Sequence, residues 1–336
     1  MCDGDAKTGI ADAIVKDVEY LSGLQKRLES ARDVVIIGGG FIGIEFADEI
    51  NKAGDKNVSI VEILSHCLAL AYDQEFCIEM EKVLASRGIN ICTSSKVASI
   101  AGNGKVEKVV LADGTEIKAD VVILGIGAVA NVDVAKKAGL RIGLTGGIAV
   151  DRTMQTSDKH IYACGDCAEK ISFFGGRPSP LKLASIATLE ARIAGANLFG
   201  IRRENAGTVG VWSTAVGDHA LATAGLTEEM AREQGYNVVV VAIAGPNRHP
   251  GTMPGAAHTK VKLVFERNSG VILGGQAMGD PAAGEVINAI SACVQSRMTA
   301  EDIAMFQIGT HPALTASPIV YHMVNAAEMA IQKMCN

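Results

Sequence analysis

The chain has 336 residues, too many for one minimal domain and enough for two or three. Its 31 Lys and Arg stand against 37 Asp and Glu, so the net charge of −6 gives no electrostatic reason to expect a nucleic-acid partner. Mean hydropathy is +0.24, yet no apolar run approaches the roughly 20 residues that span a bilayer, and no membrane partner is expected. Met1 to Asp5 has neither the charged start nor the apolar core of a secretory signal, so a cytoplasmic, reducing compartment is expected and the 8 cysteines read as free thiols. Aromatics are only 4% while glycines number 37, a balance that suits α/β packing with tight strand-to-helix turns.

Ile14, Val15, Val18, Leu21, Leu24 and Leu28 are spaced by threes and fours, which predicts a lead-in amphipathic helix over 11–30, within a segment 1–32. The period then changes. Val34 to Ile37 reads as a short buried strand closed by Gly38, Gly39 and Gly40, and Phe41 to Lys52 carries a helical pattern that ends near Gly54. Val58 to Ile63 predicts the next strand, Asp73 can N-cap a helix ending before Gly88, and Ile89 to Cys92 returns as a strand. Asn103-Gly104 and Asp113-Gly114 look like turns of a small antiparallel excursion, after which Val121 to Leu124 re-enters the core. Residues 33–124 thus form one nucleotide-sized α/β domain.

Residues 125–203 are less regular, with strands expected near Ile148 to Val150 and His160 to Ala163 and a helix from about Lys182 to Phe199. Residues 207–336 read as an α+β unit. Its strands are expected at Val238 to Ala244, Lys260 to Phe265 and Val271 to Met278, and Gly210 to Thr214 reads as a further strand. A helix follows from about Ala282 to Gln295, and Ser317-Pro318 has the cap-then-proline form of a last helix start. No internal repeat and no low-complexity segment is found.

Gly38, Gly40 and Gly43 form a G-x-G-x-x-G that follows a strand and opens a helix, and Glu62 ends the next strand 19 residues beyond Gly43. Each glycine has its own reason. Gly38 allows the tight turn, Gly40 lets the backbone approach a pyrophosphate, and Gly43 lets helix and strand pack closely. The free N–H groups at the helix start, beside Gly40 at Phe41 and Ile42, and the helix dipole attract the phosphates. Glu62 would accept hydrogen bonds from the adenosine ribose and repel a 2′-phosphate, so NAD is expected over NADP. A second pattern, Gly125, Gly127 and Ala130, also follows a strand but lacks the helix and distant acid, and reads as a crossover beside the cofactor, with Gly127 a binding candidate.

The run Val34 to Ala47 resembles the NAD domain of the FAD-dependent pyridine nucleotide-disulfide oxidoreductases. Further motifs agree in order: His160 to Glu169 resembles that family's second flavin motif, and Gly225 to Glu229 with Gly235-Tyr236 resembles its C-terminal interface domain. The resemblance implies a Rossmann-like NAD-binding domain, part of an FAD-binding domain and an α+β interface (dimerisation) domain. It implies NAD and FAD as cofactors and a homodimer. Asp166 would bond the ribityl chain, the helix starting near Ala184 and Ser185 would point its N-terminus at the flavin, and Glu45 would orient the nicotinamide. The implied activity is transfer of hydride from NADH by way of FAD to a disulfide, oxygen or another small acceptor.

Departures from the family pattern set further expectations. No second G-x-G-x-x-G and no redox-active cysteine or cysteine pair of the family's kind precede Gly38, so the isolated chain is expected to bind FAD weakly or not at all, with the flavin half on a separate chain or in a longer protein. His311-Pro312 resembles the family's His-Pro thiol base, but the residue five positions after the His, where the family has a Glu, is Ala316. His311 is therefore a catalytic candidate without its carboxylate partner. Ala130-Asn131 stands where the family has Pro-Asn. These departures leave a second reading, a non-catalytic NAD-binding, dimerising subunit. Cys164 and Cys167 have C-x-x-C spacing but no second pair or His motif, so no metal is expected and strand-to-turn thiols are preferred over a redox pair.

Overall fold

The computed structural model describes residues 18–336. The first helix, α1 (Val18–Ser30), buries Leu24; Ile14 and Val15 lie outside the described residues. Next come β1 (Asp33–Ile37), α2 (Phe41–Asn51), β2 (Asn57–Val61), α3 (Gln74–Ser86) and β3 (Asn90–Cys92). A three-stranded antiparallel excursion, β4 (Val97–Ala101), β5 (Lys108–Leu111) and β6 (Glu116–Lys118), precedes β7 (Val121–Leu124). The parallel sheet has the order β3-β2-β1-β7, with Val34 opposite Val58 on one side and Val121 on the other. Its central strands, β1 and β7, are near-continuous apolar runs and almost wholly buried, as strands covered on both faces are. On one face Val35, Val61 and Val122 pack with Val106, Val109 and Leu111 of the excursion. Ile44 and Ala47 of α2 are fully buried as well.

The chain divides into two compact units. One holds the described residues up to Gly127 together with Ser213–Asn336; the other is Ala128–Trp212. In the second unit α4 (Asp133–Lys137), β8 (Lys170–Ile171), β9 (Pro178–Ser179) and α5 (Ala184–Asn197) are joined by irregular chain. The strands expected near Ile148 and His160 reduce to isolated bridges, Ile148 with Ile142 and Ala168, and Tyr162 with Gln155. Neighbouring turns, such as the one in which Asp151 accepts from the N–H groups of Thr153 and Gln155, use the backbone groups that a strand ladder would need.

The C-terminal part of the first unit is a five-stranded sheet in the order β10-β11-β14-β13-β12. Its members are β10 (Val211–Val216), β11 (His219–Gly225), β12 (Val238–Pro246), β13 (His258–Glu266) and β14 (Ile272–Gly279). Between them lies α6 (Glu228–Glu233), capped by Thr227, whose side chain accepts from Met230 N–H. The buried faces of α7 (Ala283–Gln295) and α9 (His322–Cys335) pack on this sheet. The short α8 (Ala300–Ala304) has a capping box between Thr299 and Asp302. Ser317-Pro318 opens a 3-10 turn, Pro318–Val320, and not the last helix, which starts at His322. No helix among the described residues is long and apolar enough to cross a membrane.

Buried polar contacts join the parallel-sheet domain to this sheet within the first unit. Asp73 sits at the N-cap of α3, but its side chain does not cap that helix. It pairs instead with Lys262 at 2.9 Å and receives the Gln276 side-chain amide, while its N–H donates to Gln276 Oε1. Asp48, on the buried stripe of α2, pairs with Arg87 at 2.7 Å and accepts the Gly217 N–H. Charged side chains so buried persist only when paired. They fix where the β10–β11 hairpin lies along α2.

Candidate functional site

Gly38 N–H donates to Val61 O, and Gly125 N–H donates to Ile37 O, so the ends of β1, β2 and β7 meet around one turn. Chain order reverses here: β2 and β3 lie to one side of β1 and β7 to the other, which makes this the crevice where open α/β sheets bind ligands. Gly38 has φ +107, and a Cβ there would collide with Gly125 O. A Cβ at Gly43 would collide with Gly38 O, the close helix-to-turn packing that the third glycine allows. At Gly40 a Cβ would meet nothing within 4 Å. That is the one position of the three facing open space, as required if a diphosphate approaches the backbone there. Gly40 is also the N-cap of α2 and has no side-chain cap, so the positive end of the helix dipole faces the place an anion would take.

Glu62 follows directly on β2, which ends two residues earlier than Ile63, the limit expected from the apolar run. Its carboxylate is buried and accepts the Gly39 N–H at 2.6 Å and the Leu64 N–H at 2.8 Å. The acid expected to hold a ribose therefore also braces the glycine turn. Two of its roughly four lone-pair sites remain for hydroxyl donors. Cys67 packs behind the same turn, close enough that a Cβ on Gly39 would stand 2.6 Å from its Sγ. Burial, helped by Glu81 and Glu62, pushes the Cys67 thiol up to about 12, so it is a packing group and not a nucleophile. Gly127, with φ +97, follows the Gly125 crossover and has open space on its Cβ side.

Glu45 lies one turn into α2 and is exposed, with its Oε1 accepting the Thr214 hydroxyl of β10 at 2.8 Å. No local sequence signal links two residues 169 positions apart. Phe41 stacks at a tilt on Tyr72, ring centres 5.9 Å apart, and Tyr72 donates its hydroxyl to Leu221 O. Both contacts set the start of α2 against the C-terminal sheet.

In the second unit Asp166 follows Gly165, which has φ +81, and the turn lies against α5: a Cβ on Gly165 would stand 3.6 Å from Ala187 Cβ. Ala184 and Ser185, at the start of α5, are exposed, and the N-cap Leu183 offers no side-chain cap. The structure thus brings Asp166 and an uncapped helix N-terminus into one unit. Beneath them lies a pair that motif reading missed. Lys170 Nζ and Glu190 Oε2 are 2.9 Å apart, each side chain only 1% exposed. The signal was present: Glu190 interrupts the buried stripe Ile186, Ile193, Ala194 and Asn197 of α5.

His311 is on the exposed loop after α8, and its Nδ1 accepts the Ala313 N–H at 3.2 Å. Ala316 is buried. The C-x-x-C residues are free thiols; the Cys167 thiol donates to Cys164 O, and burial raises the Cys164 thiol. Among the described residues no group of three or more His, Cys, Asp or Glu could hold a metal.

The pyridine nucleotide-disulphide oxidoreductase profile matches residues 1–191, and the dimerisation-domain profile of the same family matches residues 211–320. The chain is 34% identical over 280 residues to a Pyrococcus furiosus protein named NAD(P)H sulfur oxidoreductase (CoA-dependent), covering 83% of this chain and 62% of that protein. It is 29% identical over 325 residues to an NADH oxidase of Methanocaldococcus jannaschii, covering 96% of this chain and 71% of that protein. The solved structure of a NAD-dependent persulfide reductase from A. fulgidus superposes with a TM-score of 0.90 at 31% identity, over 96% of this chain and 59% of that one. The chain therefore spans less than two thirds of the length of the Pyrococcus protein and of the solved structure. With the glycine turn at the sheet's switch point, the Asp166 turn and the C-terminal sheet all falling inside the matched segments, the chain belongs to the pyridine nucleotide-disulphide oxidoreductase family.

Proposed function

We propose that this chain binds NADH in preference to NADPH and works in a flavin-dependent NAD(P)H:acceptor oxidoreductase, cytoplasmic and homodimeric, whose acceptor is a disulfide, oxygen or another small oxidant. One observation carries the reading: at the reversal point of a parallel sheet, Gly40 leaves its Cβ side open above an uncapped helix start, with the Glu62 carboxylate at the end of the neighbouring strand. The diphosphate would sit on the N–H groups of Phe41 and Ile42. Glu62 would take the ribose hydroxyls and repel a 2′-phosphate. Glu45, steadied by Thr214, would orient the nicotinamide.

FAD, where bound, supplies the two-electron relay between nicotinamide and acceptor. The residues present fit it: Asp166 offers a carboxylate to a polyhydroxyl chain, and the free N–H groups at Ala184 and Ser185 favour negative charge in front of α5. His311 is a second catalytic candidate. Its Nδ1 accepts the Ala313 N–H, which ties the ring to its own loop. Homodimerisation through the C-terminal sheet domain is supported by the exposed Leu314, Ile319 and Val320 beside its helices.

A second reading, an NAD-binding subunit without hydride transfer, is favoured by Ala316, which offers His311 no carboxylate. The purified chain is mixed with NADH and FAD while the NADH absorbance band is followed. Turnover supports the oxidoreductase, and binding without oxidation supports the second reading.

A further inference from the structure

The turn before Asp166 is held in an unusual way. Glu190 Oε2 accepts the Gly165 N–H at 2.8 Å, and Lys170 Nζ donates to Gly165 O and, at 2.8 Å, to Ala168 O. Both polar backbone groups of the residue immediately preceding Asp166 are therefore bound by the two members of a single buried ion pair. Gly165 has positive φ, so the turn is sampled readily by glycine but is not enforced by it. The turn is closed as well by the Ala168 N–H, which donates to Gly165 O at 3.0 Å. The other Glu190 oxygen, Oε1, is buried with no hydrogen-bond partner. A carboxylate satisfied on one oxygen only is a costly way to stabilise a helix, which argues that its value lies in what Oε2 holds.

We propose that Lys170 and Glu190 are positioning residues that fix the Gly165–Asp166 turn, and through it the direction in which Asp166 presents its carboxylate to the polyhydroxyl chain of a flavin nucleotide. The second half of this statement rests on the reading of Asp166 given under the proposed function; the first half does not. Removing Lys170 leaves Gly165 O with the Ala168 N–H alone, takes the lysine donor from Ala168 O and leaves Glu190 without a counter-charge. Replacing both members by methionine removes the charge imbalance and keeps the volume, but leaves Gly165 with neither side-chain partner. An ion pair that serves only to hold α5 in place would be replaced by two methionines without effect on the turn.

The test uses the full chain and the variants K170M and K170M/E190M, the double variant carrying the test where K170M alone is too unstable. Backbone amide exchange of the segment 163–168 is expected to quicken at least tenfold in the variants, with exchange of 33–62 as in wild type. Exchange at 163–168 unchanged in a folded double variant overturns the positioning role. In parallel, FAD is titrated by fluorescence and NADH by calorimetry. FAD affinity is expected to fall at least tenfold and NADH affinity to stay within twofold; FAD affinity unchanged while the turn exchanges faster overturns the link from turn to flavin. Where the wild-type chain takes up no FAD, the exchange measurement decides alone: faster exchange at 163–168 supports the positioning role of the pair and unchanged exchange overturns it.

Discussion

Two glycine turns in this molecule solve the same problem differently. At Gly39 and at Gly165 a buried glutamate accepts a backbone N–H of the turn, Glu62 in the first and Glu190 in the second. Glu62 spends its other oxygen on Leu64 N–H and needs no cation. Glu190 lies deeper, on the inner face of α5; burial raises its carboxyl above the usual range, with Lys170 and the Gly165 N–H pulling it back. Glu62, beside a loop, is satisfied by two backbone donors, whereas Glu190, within a helix, meets one backbone N–H and recruits a lysine.

The comparison predicts unequal consequences. Lys170→Met should destabilise the chain by about 3–5 kcal/mol in denaturant unfolding, since it strands a buried carboxylate, and adding Glu190→Met should restore most of that. A double variant as unstable as the single would break the comparison. Glu62→Gln, which turns an acceptor pair into one acceptor and one donor facing two N–H groups, should cost about 1–3 kcal/mol. It should also narrow the NADH preference over NADPH, measured as a ratio of dissociation constants, by about tenfold, the worth of about 1.4 kcal/mol. An unchanged ratio would take Glu62 out of the ribose site.

The pH dependence sharpens the contrast. Because the folded pKa of Glu190 is raised, its contribution to stability is present below the unfolded value of 4.5 and is lost as pH rises through the folded value. Lys170 opposes the rise, while Asp166 and Cys164 face the same carboxyl as negative or neutral neighbours. In Lys170→Met the folded value moves further up, so the stability deficit of that variant should grow as pH is raised from 5 to 8. Denaturant midpoints across that range check it, and a deficit constant with pH would show that Glu190 does not carry the charge.

The first turn was legible in the sequence because everything it needs is local: three glycines at fixed offsets, a strand before, a helix after, an acid at the next strand end. The second was legible only in its Asp166 motif. Lys170 and Glu190 are 20 residues apart, and no periodic rule pairs them, although a charge on the apolar stripe of α5 was a visible anomaly. Thr214 and Glu45 meet only because the β10–β11 hairpin packs along α2. Ser317-Pro318 carried a helix-start signal, but the proline-led segment makes one 3-10 turn, and Tyr321 is extended before α9 begins. The α8 helix, 5 residues long, is too short to carry a periodic signal, although Thr299 and Asp302 form a capping box.

The smallest structural change bears most on function. Gly40 has φ −74, which alanine adopts freely, and its Cβ would enter empty space, so Gly40→Ala should leave stability within about 1 kcal/mol of wild type. The same methyl would stand where the diphosphate must approach. Calorimetric titration of NADH into wild type and Gly40→Ala tests the account most directly. It predicts saturable heat with wild type and at least a tenfold loss of affinity in the variant; no heat with wild type, or equal affinity in both, would contradict it.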